Sequence, residues 1–168
     1  MEIKKVALGG GCHWCTEAVF LSLRGVTKVE QGFVSQKGEQ SSFSEAIVVS
    51  YNPHEISLKE LIEIHLHTHQ STSEHSFRNK YRSAVYVFSE KDFDGSNQAL
   101  KMLQKDFNKE LITKTYYFKA FKLSEEQFHN YYYSNPEKPF CKSYIDPKLK
   151  MLMNRYSSFM KTAPELLK

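Results

Sequence analysis

No stretch of this sequence approaches the ~20 consecutive apolar residues that a membrane-spanning helix needs. The charged start Met1-Glu2-Ile3-Lys4-Lys5 leads into an apolar run too short for the core of a secretion signal. Both features lead us to expect a cytoplasmic protein with no membrane partner. Cysteine is scarce. Three cysteines, an odd number without a secretion signal, argue against a disulfide framework and for redox or metal chemistry. Basic charge is thin as well. The net charge is +4, and the lysines are interrupted by acids and aromatics, as between Lys101 and Lys109. Nucleic-acid binding calls for a denser patch, so no nucleic-acid partner is expected. Internal repeats and linker-like segments are also missing. The 168 residues therefore read as one domain, 1–168, large enough to bury a core.

What the chain has in quantity is aromatic side chains, 12 phenylalanines and 10 tyrosines. Most must be core, although Tyr131-Tyr132-Tyr133 exceeds what one helix face needs. Ile3 to Leu8 reads as a buried strand and Trp14 to Leu23 as a helix closed by Arg24-Gly25. Val26 to Val34 and Phe43 to Tyr51 read as strands, the second ended by Asn52-Pro53. Ser57-Leu58-Lys59-Glu60 is a capping box opening a helix with Leu58, Leu61, Ile62 and His65 on its apolar side. Thr68 to Arg82 is polar and aperiodic, and a loop of that length is usually functional. Ser83 to Phe88 is a further strand. Ser89 then caps a helix reaching about Phe107, Thr113 to Phe121 is rich in strand formers, and Lys148 to Met160 has the pattern of a last amphipathic helix. The order β-α-β-β-α-β-α-β is an α+β arrangement, most simply a mixed or antiparallel sheet with helices packed on it.

Chemistry concentrates in Gly9-Gly10-Gly11-Cys12-His13-Trp14-Cys15-Thr16-Glu17. The pattern is strand, glycine turn, then a cysteine at a helix start. Unpaired N–H groups and the positive end of the backbone dipole lie there. Both favour a thiolate, so Cys12 is expected to titrate below the ~8.5 of a free cysteine. Cys12-His13-Trp14-Cys15 is also a C-x-x-C, as in thiol–disulfide exchange. The same spacing is half of a zinc ligand set, which His65, His67, His69 or His75 could complete. A single C-x-x-C is a weak metal signal, and the histidines read more simply as a polar helix end, where His is favourable, so no metal is assigned.

The stretch Gly11-Cys12-His13-Trp14-Cys15-Thr16-Glu17 resembles the Gly-Cys-Phe-Trp-Gly-x-Glu signature of the peptide methionine sulfoxide reductase A family. Leu23-Arg24-Gly25-Val26 is similar to its Pro-Gly-Val turn. Phe43-Ser44-Glu45-Ala46 and Tyr51-Asn52-Pro53 are similar to its His-Ala-Glu-Ala strand ending in Tyr-Asp-Pro. Ile56 to Leu61 resembles the start of its next helix, and Tyr81-Arg82-Ser83-Ala84 its Gln-Tyr-Arg-Ser segment. Tyr131-Tyr132, Asn135-Pro136, Phe140-Cys141 and Pro147-Lys148-Leu149 resemble its C-terminal tract. The likeness spans about residues 4 to 150.

The resemblance implies a two-layer α+β sandwich with a ferredoxin-like core, to which a C-terminal helix and tail are added. It implies reduction of the S epimer of methionine sulfoxide, free or in oxidised proteins. Cys12 would attack sulfur. Glu45 would give the departing oxygen its proton, and the Tyr81 hydroxyl would hold that oxygen. Trp14 and His13 would line the S-methyl pocket. Cys12 would become a sulfenic acid, and Cys141 would condense with it to a disulfide. No bound cofactor is implied; thioredoxin, or dithiothreitol in its place, would restore the thiols. Glu17 would support the site.

This chain departs from the family pattern at informative places. His13 stands for a phenylalanine and Cys15 for a glycine, so Cys15 is a second candidate resolving thiol. The segment between Phe33 and Phe43 is short and lacks the family's tyrosine. His75 or Ser76 stands near the position of a family aspartate. Two other classes stay open on the residues alone: a diverged metal- or peptide-binding relative, and a general oxidoreductase using Cys12 and Cys15.

Overall fold

The first strand, β1 (Lys4–Gly9), lies between two antiparallel neighbours, β3 (Ser44–Tyr51) and β4 (Ala84–Val87). The structure is a computed structural model that describes residues 2–11, 13–38, 41–73, 80–124 and 146–161, without the side chains of residues 13–15 and 146. Between these strands run α1 (His13–Leu21), β2 (Val26–Gln36) and α2 (Leu58–Thr68). After β4 come α3 (Glu90–Leu103), β5 (Lys114–Leu123) and α4 (Asp146–Arg155). Strands and helices thus follow the order read from the sequence.

Both serine caps form. The Ser57 hydroxyl accepts the Glu60 N–H at 3.1 Å, and the Ser89 hydroxyl accepts the Asp92 N–H at 3.1 Å. Each satisfies an amide that the first helical turn would leave open, which stabilises by about 1 kcal/mol. α3 stops at Leu103, before the expected end near Phe107, and passes into a short 3-10 turn over Gln104–Asp106. α4 also stops early, at Arg155 rather than Met160. The cause is a competing partner. The Arg24 N–H donates to the Phe159 carbonyl at 2.6 Å, the Lys161 N–H donates to the Ser22 carbonyl at 2.7 Å, and Leu23 bridges Met160. Pairing with the corner between α1 and β2 draws these residues out of the helix.

The sheet is mixed, as expected, but it is not the open layer of a ferredoxin-like two-layer sandwich. Its strands close into a ring in the order β1-β3-β2-β5-β4. β5 makes the closure. Its first half, Lys114–Tyr117, runs parallel to β4, and its second half, Phe118–Leu123, runs antiparallel to β2. Register breaks between Val26 and Lys28 and between Ser35 and Gln36 add the twist that closure requires.

Strand alternation then separates two cores. Inside the ring lie Ala7, Val34, Ala46, Val48, Ala84 and Tyr86. Three of these six are alanines, because a five-stranded ring leaves little interior width. Outside, Val6, Leu8, Ile47, Val49, Val85 and Val87 face the helices and join Phe20, Leu61, Ile62, Leu103 and Leu152 in the main core. α1 packs on β2 and β3, α2 on α3, and α3 on β4 and β5. α2 therefore buries Ile64 and Leu66 as well as the side predicted from Leu61, Ile62 and His65.

Candidate active site

The glycine turn leaves the end of β1 where three backbone segments meet. Gly9 pairs with Ala46 on one side and Ala84 on the other. A Cβ on Gly9 would stand 2.9 Å from the Arg82 carbonyl oxygen and 3.1 Å from that of Glu45. Any side chain there would push both strands aside. Gly10 has φ +147°, a conformation that L side chains rarely adopt. α1 begins three residues later, at His13.

The segment carrying Tyr81 is clamped to the start of β3. The Glu45 N–H donates to the Lys80 carbonyl at 2.9 Å, and the Ser44 hydroxyl donates to the same oxygen at 2.8 Å. The Arg82 N–H donates back to the Ser44 hydroxyl at 2.7 Å. Tyr81 is thereby held between two anchored neighbours, both bonded to the start of β3. The Arg82 guanidinium donates to the Tyr86 hydroxyl at 2.9 Å and to the Ser42 carbonyl at 3.0 Å.

Glu45 lies on the helix-facing side of β3 and is 6% exposed. Its carboxylate stands 3.6 Å from the Lys80 ammonium, which is largely in solvent. Lys80 also lies 5.2 Å from the centre of the Tyr81 ring. Interaction with Tyr81 first, and with Glu45 after it, raises the Lys80 amine above its ordinary value. A cavity of about 440 Å³ opens beside these groups, its wall including Gly10, Gly11, His69, Tyr81 and Lys148. Glu45 is not part of that wall; it reaches the site edge through its backbone link to Gly9 and Lys80. Glu17 is buried on α1, 3% exposed.

Cys12 and Cys141 lie outside the described residues, as do Tyr131 to Tyr133 and His75. His13, Trp14 and Cys15 are in the first turn of α1, with their side chains outside the description. Of the expected site residues, the structure therefore brings together the glycine turn, Glu45 and Tyr81.

Two of the histidines considered as zinc ligands or a polar helix end lie against the glycine turn. His65 is 1% exposed, and its Nε2–H donates to the Gly9 carbonyl at 2.8 Å. His69 follows α2 as its cap, and its Nδ1–H donates to the His65 carbonyl. Its Nε2 lies 2.8 Å from the Ser83 hydroxyl, which lies 2.7 Å from that of Thr113. The two imidazoles stack with centroids 4.1 Å apart. Among the described residues no group of three His, Cys, Asp or Glu side chains is arranged to hold a metal. The sequence signal for this pair is the i, i+4 spacing, which puts both rings on one helix face. It does not reveal that this face meets β1.

A glycine turn between a strand and a helix, flanked by a buried glutamate and a clamped tyrosine, can be compared with known proteins. Residues 4–160 match the family described as peptide methionine sulfoxide reductase. The chain belongs to the peptide methionine sulfoxide reductase family. Its activity is thiol-dependent reduction of methionine sulfoxide. The reductase MsrA of Sulfolobus acidocaldarius is 31% identical over 93% of this chain and 96% of its own length. That of Deinococcus radiodurans is 30% identical over 91% of this chain and 82% of its own. Among solved structures, reduced Mxr1 from Saccharomyces cerevisiae superposes with a TM-score of 0.70 at 25% identity, covering 83% of this chain and 90% of that one. Mxr1 in complex with Trx2 superposes with a TM-score of 0.61 at 24% identity over 77% of this chain and 85% of that one. Reductase chemistry of this family proceeds through thiols without a prosthetic group.

Proposed function

We propose that Cys12 is the nucleophile of this reductase and that it acts on the S epimer of methionine sulfoxide, free or in oxidised proteins. The observation that carries this reading is the meeting of the glycine turn, Glu45 and Tyr81 at one end of the sheet. The start of α1 at His13 supports a thiolate at the residue before it, because a helix N-terminus favours negative charge.

In this reading the thiolate attacks the sulfoxide sulfur. Glu45 gives the departing oxygen a proton, and the Tyr81 hydroxyl holds that oxygen. Trp14 and His13 line the space for the S-methyl group. The oxygen ends on the cysteine, so methionine sulfur is reduced by two electrons and Cys12 is oxidised to a sulfenic acid. Cys141 condenses with it to a disulfide and water, with Cys15 as the alternative resolving thiol. A dithiol partner then takes up the oxidising equivalents. Thioredoxin fills that role best, a choice supported by the crystallised complex of Mxr1 with Trx2, and dithiothreitol substitutes for it. Glu17, buried behind the first turn of α1, supports the site. We place the enzyme in the reducing cytoplasm and assign residues 1–168 to one reductase domain with the α+β sheet of a sulfoxide reductase.

The test is epimer-resolved turnover of a peptidyl methionine sulfoxide with dithiothreitol, in the natural chain and in Cys12→Ser. Consumption of the S epimer alone, lost in Cys12→Ser, is expected. Turnover that survives the substitution would remove Cys12 from the mechanism.

A further inference from the structure

We propose that His69, fixed by Ser83, is a positioning residue for the nucleophile, holding the backbone that leads into Cys12. The inference rests on the reading of Cys12 given above and deepens it.

A Cβ placed on Gly10 would lie 2.5 Å from His69 Cδ2 and 2.6 Å from Nε2. The ring therefore stands where any other side chain would be, and its edge is the wall against which Gly10 rests. That wall is fixed at both nitrogens. A carbonyl can only accept, so the bond to His65 places the proton on Nδ1 of His69. With the ring neutral, Nε2 accepts from the Ser83 hydroxyl and the Thr113 hydroxyl donates to Ser83. The chain of bonds runs from the residue before β5 through the residue before β4 to the cap of α2. The stacked His65 ring extends the same hold to the Gly9 carbonyl.

Two successive residues before Gly11 are thus held from one side by the rings of His65 in α2 and of His69 at its cap. Neither ring nitrogen of His69 is left to act on the substrate, so its effect passes through the glycine turn. Geometry matters at this point, because a shift of about 1 Å in a reacting group can cost on the order of 100-fold in rate.

The experiment uses a Cys15→Ser, Cys141→Ser background, in which Cys12 is the one remaining cysteine. Single-turnover reduction of a peptidyl methionine sulfoxide and alkylation by iodoacetamide are measured in parallel. His69→Ala should slow reduction roughly 10- to 100-fold. Its alkylation rate should stay within about threefold, and KM in dithiothreitol turnover should move little. General loosening of the fold would instead speed alkylation. His69→Gln carries a donor and an acceptor on one planar group and should restore most of the rate. Ser83→Ala removes one fixing bond and should slow reduction several-fold, which keeps the test decisive if His69→Ala does not fold. Reduction within twofold of the parent in folded His69→Ala, or no change in Ser83→Ala, would overturn the proposal. So would a His69→Gln rate as low as that of His69→Ala. Activity persisting in Cys12→Ser would refute the underlying reading instead.

Discussion

Gly9→Ala is the substitution whose effect follows most directly from the packing. The new Cβ would meet the Arg82 carbonyl at 2.9 Å and the Glu45 carbonyl at 3.1 Å, where ordinary contact begins at 3.4 Å. The segment leading into β4 must retreat by about 0.5 Å and β3 by about 0.3 Å, and both obstacles are backbone that cannot swing aside. Overpacking of this kind costs about 1–3 kcal/mol. For a domain of this size each kcal/mol lowers Tm by about 2–4 °C, so a fall of roughly 2–12 °C is expected by calorimetry. The rate should suffer more than the stability. The displaced segments carry Glu45 and the residue after Tyr81, while the glycine turn follows directly, so sulfoxide reduction should fall about tenfold or more at temperatures where the variant is fully folded. A variant that melts within 1 °C of the parent and turns over normally would show that β1, β3 and β4 do not approach this closely at Gly9, and the derived site geometry would fail with it.

Glu45→Gln keeps the shape of the side chain but removes the acid, and single-turnover reduction should fall by about 10²–10⁴. Stopped-flow kinetics read the loss of rate, and a melting curve checks that the variant is folded. With thioredoxin as reductant, Cys141→Ser should give about one turnover per enzyme and then stall in a burst assay. Sustained turnover would rule out Cys141 as the sole resolving residue. Burial raises the Tyr51 and Tyr86 hydroxyls above their ordinary value, with Asp92 adding to the effect on Tyr51. The unfolded chain therefore releases protons above about pH 10 that the folded chain keeps, so stability is complete below that pH and falls as pH rises through it. Urea midpoints measured from pH 8 to 11 should show the decline. Tyr51→Phe should make it shallower without loss of stability at pH 7, since its buried hydroxyl has no hydrogen-bond partner among the described residues.

Local structure was legible wherever one residue type has one dominant use. Ser57 and Ser89 read as caps and are caps. The apolar run around Ile47 read as a strand and is one, buried along its whole length. The end of α4 was not legible, because residues 159–161 bond to a corner more than 130 positions earlier. Closure of the sheet was hidden for the same reason. β5 has the pattern of any half-buried strand, and nothing in its residues states that its two halves serve different neighbours.

The sequence by itself determined the chemistry available: a cysteine after three glycines at a helix start, one glutamate in a strand of alanine and valine, and a tyrosine ahead of Arg82-Ser83. These are choices of residue type at short spacing, and short spacing is what a linear reading resolves. The tertiary structure decided which of these groups meet. It tied the start of β3, which carries Glu45, to the segment carrying Tyr81 through the bonds of Ser44 and Glu45 to the Lys80 carbonyl. It also brought His65 and His69 against the glycine turn. The hydrogen bonds involved join segments 14 to 56 residues apart, and their partners are backbone carbonyls and small hydroxyls. Such groups occur throughout any chain, so only the folded arrangement selects among them.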